Sequence, residues 1–320
     1  MSRRATLVAL TVAVVLSASE RDVHAQQPPS VDDVLTGKFS PSRHPAFTRY
    51  GGFHIRQDVL RRYNALQRCA ADRECSGLDR SLRVTTCSMF RPYRRQKSRW
   101  LAKMKSRRAL WPNPGRRVES LLRYLAIPGT SRHHWGTDID ISFDGRCKMA
   151  NFQYMTAAEN TRRCQRERER CRRVGKSKKR CDKSYTFCFK RDGKGVQFYR
   201  WMRENAGRFG LCQPYKGFPE QRNGERFTRG YEPERWHWSS CCEAKRFYER
   251  FRTRLSQLTP PPADVFGKEA LRHRRRRGYL SNLHRTMVVD AVRQHVLNIH
   301  PDCLDCKVDC SASEVPVNAP

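Results

Sequence analysis

Long apolar runs are scarce in this chain. Past its first 25 residues no stretch approaches the ~20 consecutive apolar residues that a membrane-spanning helix needs, so no transmembrane helix is expected after Ala25. Acidic residues are scarce too: 31 Asp and Glu stand against 65 Lys and Arg, a net charge of +34. A folded chain so unbalanced repels itself and attracts polyanions. No nucleic-acid reading motif accompanies the charge, so specific nucleic-acid recognition is not expected. Strands and helices alternate without a βαβ rhythm, which points to an α+β class. Disorder of the whole chain is excluded, because 38% hydrophobic and 10% aromatic residues suffice for a core.

Residues 1–25 read as a signal peptide. Ser2-Arg3-Arg4 is basic, Ala5 to Ser17 is apolar and uncharged, and Val23-His24-Ala25 places small residues at −3 and −1 of a cleavage point. No cysteine directly follows the apolar stretch, so lipid anchoring through such a residue is not indicated. The chain has 14 cysteines, an even number, and in an exported protein these favour disulfides over metal-bound thiolates. The expected location is periplasmic or extracellular. Anionic envelope polymers or lipid head groups are the polyanions such a protein meets first.

Residues 26–34 are polar and Pro-containing and read as a linker; 35–258 read as the globular domain. Val59, Leu60, Tyr63 and Leu66 sit at helical spacing, and Leu82 to Phe90 is strand-like. A helix is expected from Pro92 to about Arg107, and another on Val118, Leu121, Leu122 and Leu125, ended by Pro128-Gly129. Asp138 to Phe143 alternates, predicting a half-buried strand with Asp138, Asp140 and Ser142 on its polar face. Val196, Tyr199, Met202 and Ala206 mark a further helix, as do Phe247, Phe251 and Leu255.

Two regions look like additions. A basic Cys-rich insert spans about 146–192; within it residues 161–180 hold eleven Lys or Arg and two Glu. Cys164 and Cys171 are seven apart, as are Cys181 and Cys188, so each pair shares one helix face. An antiparallel helical hairpin turning at Val174-Gly175 would pair Cys164 with Cys188 and Cys171 with Cys181. Residues 259–320 form a basic C-terminal extension, opened by Pro260-Pro261-Pro262 and closed by Cys303, Cys306 and Cys310.

Two stretches concentrate zinc-ligand residue types: Pro128 to Asp140, which holds Ser131-Arg132-His133-His134-Trp135-Gly136-Thr137-Asp138-Ile139-Asp140, and Tyr231 to Trp238, which holds Glu234-Arg235-Trp236-His237. A hydrolytic zinc site needs three protein ligands, an open position and a nearby carboxylate that takes the proton of water. His133, Asp140, His237 and Glu234 supply that set. A bend at Gly136 would return His133 toward Asp140. Glu234 and His237, three apart, would diverge on a flat strand, and a turn at Pro233 would bring them together.

Ser-x-His-x-x-Gly-x-x-x-Asp followed about a hundred residues later by Glu-x-Trp-His resembles the VanY-type D-alanyl-D-alanine carboxypeptidases, zinc peptidases sharing a fold with lysostaphin and hedgehog. Gly37 to Pro45, Ser88-Met89-Phe90-Arg91 with Gln96, and Asn205 to Tyr215 extend the likeness over roughly 35–250. The resemblance implies a small antiparallel sheet carrying one Zn2+, bound by His133, Asp140 and His237. It implies that Glu234 is the general base and then acid, and that Arg91 stabilises the oxyanion or orients the carbonyl. Ser131 and Gln96 would help hold the peptide's terminal carboxylate, and Trp236 would pack behind the site. Asp138 departs from the family, which often has a small residue there; it is expected to orient a ligand or play a structural part. His134 lies at a position the motif leaves free. The function implied is an exported zinc D,D-carboxypeptidase acting on peptidoglycan stem peptides. An endopeptidase with the same chemistry and a catalytically silent polycationic envelope-binding protein are the alternatives.

Overall fold

The computed structural model describes residues 29–110, 112–145, 147, parts of 162–177, 194–216, 231, 233–254, 292–297, 299–306 and 308–310. The expected signal peptide and the expected hairpin pairings, Cys164–Cys188 and Cys171–Cys181, lie outside the described residues, although Cys171 is itself disulfide-bonded.

Ser30 caps α1 (Val31–Thr36) by accepting from the Asp33 N–H, and Gly37 closes it in the left-handed region. The segment expected as a linker over 26–34 therefore already contains helix by Val31. Val34 and Leu35 are buried, and burial of those two apolar side chains supplies the order that their polar neighbours disguise in the sequence. A hairpin of β1 (Phe47–Tyr50) and β2 (Phe53–Arg56) leads into α2 (Gln57–Ala71) and the single turn α3 (Arg73–Ser76). Then come β3 (Thr85–Ser88), α4 (Tyr93–Ser106), α5 (Pro114–Leu122), β4 (Asp138–Ser142), α6 (Lys194–Asn205), β5 (Leu211–Cys212), β6 (His237–Ser240) and α7 (Cys241–Arg254). The fold is α+β, with small antiparallel sheets among helices.

A four-stranded antiparallel sheet in the order β3-β4-β6-β5 organises the molecule. Its central pairing sets Asp138 opposite Ser239, Ile139 opposite Trp238 and Asp140 opposite His237. Residues directly opposite in an antiparallel pair share a face. Asp138, Asp140, His237 and Ser239 thus fall on one face and Ile139, Ile141 and Trp238 on the other. The apolar face packs on Val59, Tyr63 and Leu66 of α2 and Phe198 and Met202 of α6. Each such large side chain contributes roughly 1.5–3 kcal/mol by leaving water.

β4 is buried along its whole length, not half-buried as its alternation predicts. Its polar face is roofed by the 3-10 turn Arg132–Trp135 and by Arg91, which satisfy the carboxylates that solvent would otherwise hydrate. Beyond that roof lies a second apolar cluster formed by Leu35, Trp100, Leu121, Trp135, Phe251 and Val296, among others. α5 ends at Leu122, short of the expected Pro128-Gly129 stop, although Leu125 remains buried.

The C-terminal extension is not a separate body throughout. Val292, Val296, Ile299 and Cys303 belong to the second cluster. Disulfides Cys212–Cys303, Cys241–Cys306 and Cys242–Cys310 staple this segment to β5 and the start of α7. Cys69–Cys75 and Cys87–Cys147 brace α2 and β3. Among the described residues no helix is long and apolar enough to cross a membrane.

Candidate metal centre

The expected residues come together. Ligand atoms of His133, Asp140 and His237 all lie within 4.8 Å of one another, and the three residues are buried. Asp140 Oδ1 stands 3.4 Å from His133 Nε2 and 3.4 Å from His237 Nδ1. Local structure explains each placement. His133 rides on the 3-10 turn that Gly136 ends at φ +74, so the chain reverses into β4. His237 opens β6 opposite Asp140. Glu234 reaches the same point because the His237 N–H donates to the Glu234 carbonyl at 3.0 Å, closing a turn before the strand starts. That turn sets Glu234 Oε2 3.3 Å from His237 Nδ1. The Gln213 side chain holds it by donating to the Glu234 carbonyl at 3.0 Å.

Hydrogen bonds select one nitrogen of each imidazole. His133 Nδ1 lies 2.8 Å from the Met89 carbonyl, which can only accept, so the proton sits on Nδ1 and Nε2 keeps its lone pair. His237 Nε2 lies 2.8 Å from Asp138 Oδ1, which leaves Nδ1 facing Asp140. Asp138 is itself held by Arg132 Nε at 3.0 Å and by the Thr137 hydroxyl at 2.6 Å. Arg132 also donates to Ser239 Oγ at 2.6 Å and stacks over Trp135. Asp138 therefore orients His237, and Arg132, which the sequence hides among many arginines, orients Asp138. The one available signal is an arginine beside a histidine motif on a chain turn headed for a buried strand.

The charges respond to burial and to one another. Burial pushes the His133 imidazole down to about 4, with Arg91 adding to the shift. Burial would push His237 down too, but the carboxylates of Asp138, Asp140 and Glu234 facing its ring nitrogens outweigh it and raise it well above its usual value. Burial would raise Asp138 and Asp140; Arg132 with the two histidines holds Asp138 below the ordinary range, and the two histidines alone hold Asp140 there. Burial brings Arg91 down to about 10, so its guanidinium stays charged near neutral pH.

Arg91 points at the centre. It donates to Ser88 Oγ and Gln96 Oε1, each at 3.1 Å, and reaches Asp140 Oδ2 at 3.4 Å. Gln96, expected to help hold a substrate carboxylate, is fully buried; its amide nitrogen donates to the Ala126 carbonyl at 2.6 Å while its oxygen serves Arg91. Ser131 is buried beside the ligands, and its hydroxyl does not cap the turn it precedes. His134 is consumed structurally, with Nδ1 2.5 Å from the Arg91 carbonyl and Nε2 accepting from the Gly129 N–H at 3.1 Å. Trp135 and Trp238 are core residues, and Trp236 packs against the cluster under the sheet. Tyr215, which the sequence does not single out, sets its ring 5.0 Å from that of His237.

The residues fit a zinc ion. Donors at about 2.0–2.1 Å from a tetrahedral metal lie about 3.4 Å from one another, which is the spacing of Asp140 Oδ1 from both imidazole nitrogens. Asp140 Oδ1 is buried and makes no hydrogen bond, as expected of an oxygen reserved for a cation. Glu234 is the more open member, with its side chain 16% exposed against 4–5% for the three ligand candidates.

Comparison with known proteins agrees with the motif. Residues 53–242 match the family model described as VanY, D-alanyl-D-alanine carboxypeptidase. No curated protein matches the chain. Among solved structures, VanYB in complex with D-alanine-D-alanine is similar at 17% identity, covering 64% of this chain and 83% of that one, with a TM-score of 0.39. A mutant of the vancomycin-resistance D,D-pentapeptidase VanY from a VanB-type cassette, in complex with Zn(II), is similar at 17% identity over 63% and 83%, with a TM-score of 0.38.

Proposed function

Because this chain belongs to the VanY D-alanyl-D-alanine carboxypeptidase family, whose members are zinc-dependent, we propose that it is an exported zinc peptidase that removes the terminal D-alanine from peptidoglycan stem peptides. The observation that carries the reading is the buried Asp140 Oδ1, held by no hydrogen bond and set 3.4 Å from each of two imidazole nitrogens, with Glu234 alongside. Export is supported by the N-terminal pattern and by disulfides suited to an oxidising compartment.

His133, Asp140 and His237 would hold the ion. When bound, zinc supplies a Lewis acid that polarises the scissile carbonyl and lowers the pKa of water toward ~7. Glu234 then takes the proton of the attacking water and delivers it to the leaving amine; its partial exposure suits both transfers. Arg91, fixed by Ser88 and Gln96, neutralises the oxygen of the tetrahedral carbon. Ser131 is the candidate donor to the free terminal carboxylate, and Gln96 acts by holding Arg91 still. The +34 charge supports contact with anionic envelope polymers or lipid head groups.

Mass spectrometry of defined muropeptides tests the reading. Loss of one terminal D-alanine, abolished by a chelator, is the expected result. Cleavage at an internal cross-link would make the protein an endopeptidase, and a zinc-loaded protein that leaves every muropeptide intact would refute the hydrolytic assignment.

A further inference from the structure

α4 is built against its own electrostatics. Alone among the described helices of eight residues or more, it contains no acidic residue. Arg94 and Arg95 occupy its first turn, where the positive end of the helix dipole disfavours cations. Arg95, Arg99 and Lys103 follow at i, i+4 and i+8, a row of like charges that weakens a helix. All three are exposed, and among the described residues none is paired with a carboxylate. The packing of the helix does not require them, since Gln96, Trp100 and Met104 form its buried face.

The helix that carries the row is tied to the candidate centre. Gln96, on the same helix, anchors Arg91, and the positive charges of Arg99 and Arg95 are felt at Arg91 itself. At the start of α4, Tyr93 and Arg94 line a cavity of 610 Å³ together with Lys38 and Ser40. Successive members of the row rise by about 6 Å. Carboxylates on alternate residues of an extended peptide repeat at about 6.5–7 Å, a close match. A lipid surface fits less well, because the exposed positions between the cations are Ser98 and Ala102 and offer no apolar anchor.

We infer that the Arg95–Arg99–Lys103 row docks carboxylates of the substrate peptide upstream of the scissile bond, so that acidic peptides are preferred. The inference rests on the peptidase reading above and names what that site selects.

The test compares two synthetic peptides ending in D-Ala-D-Ala, one neutral upstream and one carrying two carboxylates on alternate residues. Wild-type protein is expected to favour the acidic peptide in kcat/KM by roughly tenfold at low salt, as two screened charge pairs allow, and to lose that preference at high salt. In the triple variant Arg95→Gln, Arg99→Gln, Lys103→Gln the ratio should fall toward one at both salts. An acidic-to-neutral ratio near one in the wild type, or an unchanged ratio in the variant, overturns the proposal. If wild type cleaves neither peptide, the peptidase reading fails separately. The row is then judged by fluorescence anisotropy of the labelled acidic peptide, where equal affinity for wild type and variant overturns it and weaker variant binding supports it. Loss of binding to inorganic polyphosphate in the variant, with the peptide ratio unmoved, assigns the surface to another polyanion and also overturns it.

Discussion

Asp138 does for His237 what the Met89 carbonyl does for His133: each accepts from one ring nitrogen and leaves the other for a cation. Substituting Asp138→Asn keeps the shape but removes the charge. Zinc affinity is expected to fall about 10–100-fold, read by competition with a chromogenic chelator. Glu234 touches the centre without being one of its three ligand candidates, so Glu234→Ala should retain stoichiometric zinc by elemental analysis while D-alanine release drops about 10²–10⁴-fold. At this scale the sequence is unusually legible. His133, Asp140, His237 and Glu234 were readable because metal chemistry needs particular donor types in short, ordered motifs. Arg132 was not, since one arginine among 65 Lys and Arg is marked only by its place beside His133 until its guanidinium is seen between Asp138 and Ser239.

Between β4 and the turn before it, one residue decides whether two ligands meet. Gly136 sits at φ +74, and a Cβ there would come within 2.5 Å of the Phe47 ring. Gly136→Ala is therefore expected to destabilise the fold by about 1–3 kcal/mol. Urea unfolding checks the stability, and a parallel loss of zinc affinity would report that His133 has shifted from Asp140. Gly37 has a comparable constraint, since a Cβ there would approach His134 Nδ1 to 2.4 Å. Helices α2, α6 and α7 follow from hydrophobic spacing, because each buries one stripe, and α4 follows from the proline at its start. The burial of β4 does not: alternation predicts a wet polar face, and only the roof of Arg91 and Arg132–Trp135 makes it dry.

Across the whole molecule, the C-terminal segment returns to brace the wall beside the metal centre. Cys303 is bonded to Cys212, the His300 N–H donates to the Pro214 carbonyl at 2.9 Å, Asp302 pairs with Lys216, and His295 stacks on Tyr231. Tyr231 in turn packs against Tyr215, the neighbour of His237. The Cys212–Cys303 bond closes a loop of 91 residues. Replacing both cysteines by serine is expected to lower stability by about 2–5 kcal/mol, measured by denaturant unfolding, and to reduce kcat, because the Tyr215 ring beside His237 loosens.

Composition and motif order by themselves pointed to the α+β class and to the residues that cluster at the candidate centre, because donor types and hydrophobic periods are local properties of a chain. The pairing of Cys303, Cys306 and Cys310 with Cys212, Cys241 and Cys242, the Arg132–Asp138–His237 relay and the docking of residues 292–303 into the core belong to the tertiary structure alone. Those features join segments far apart in sequence, and which distant partners meet is settled by the packing of the whole chain, not by the spacing within any part of it.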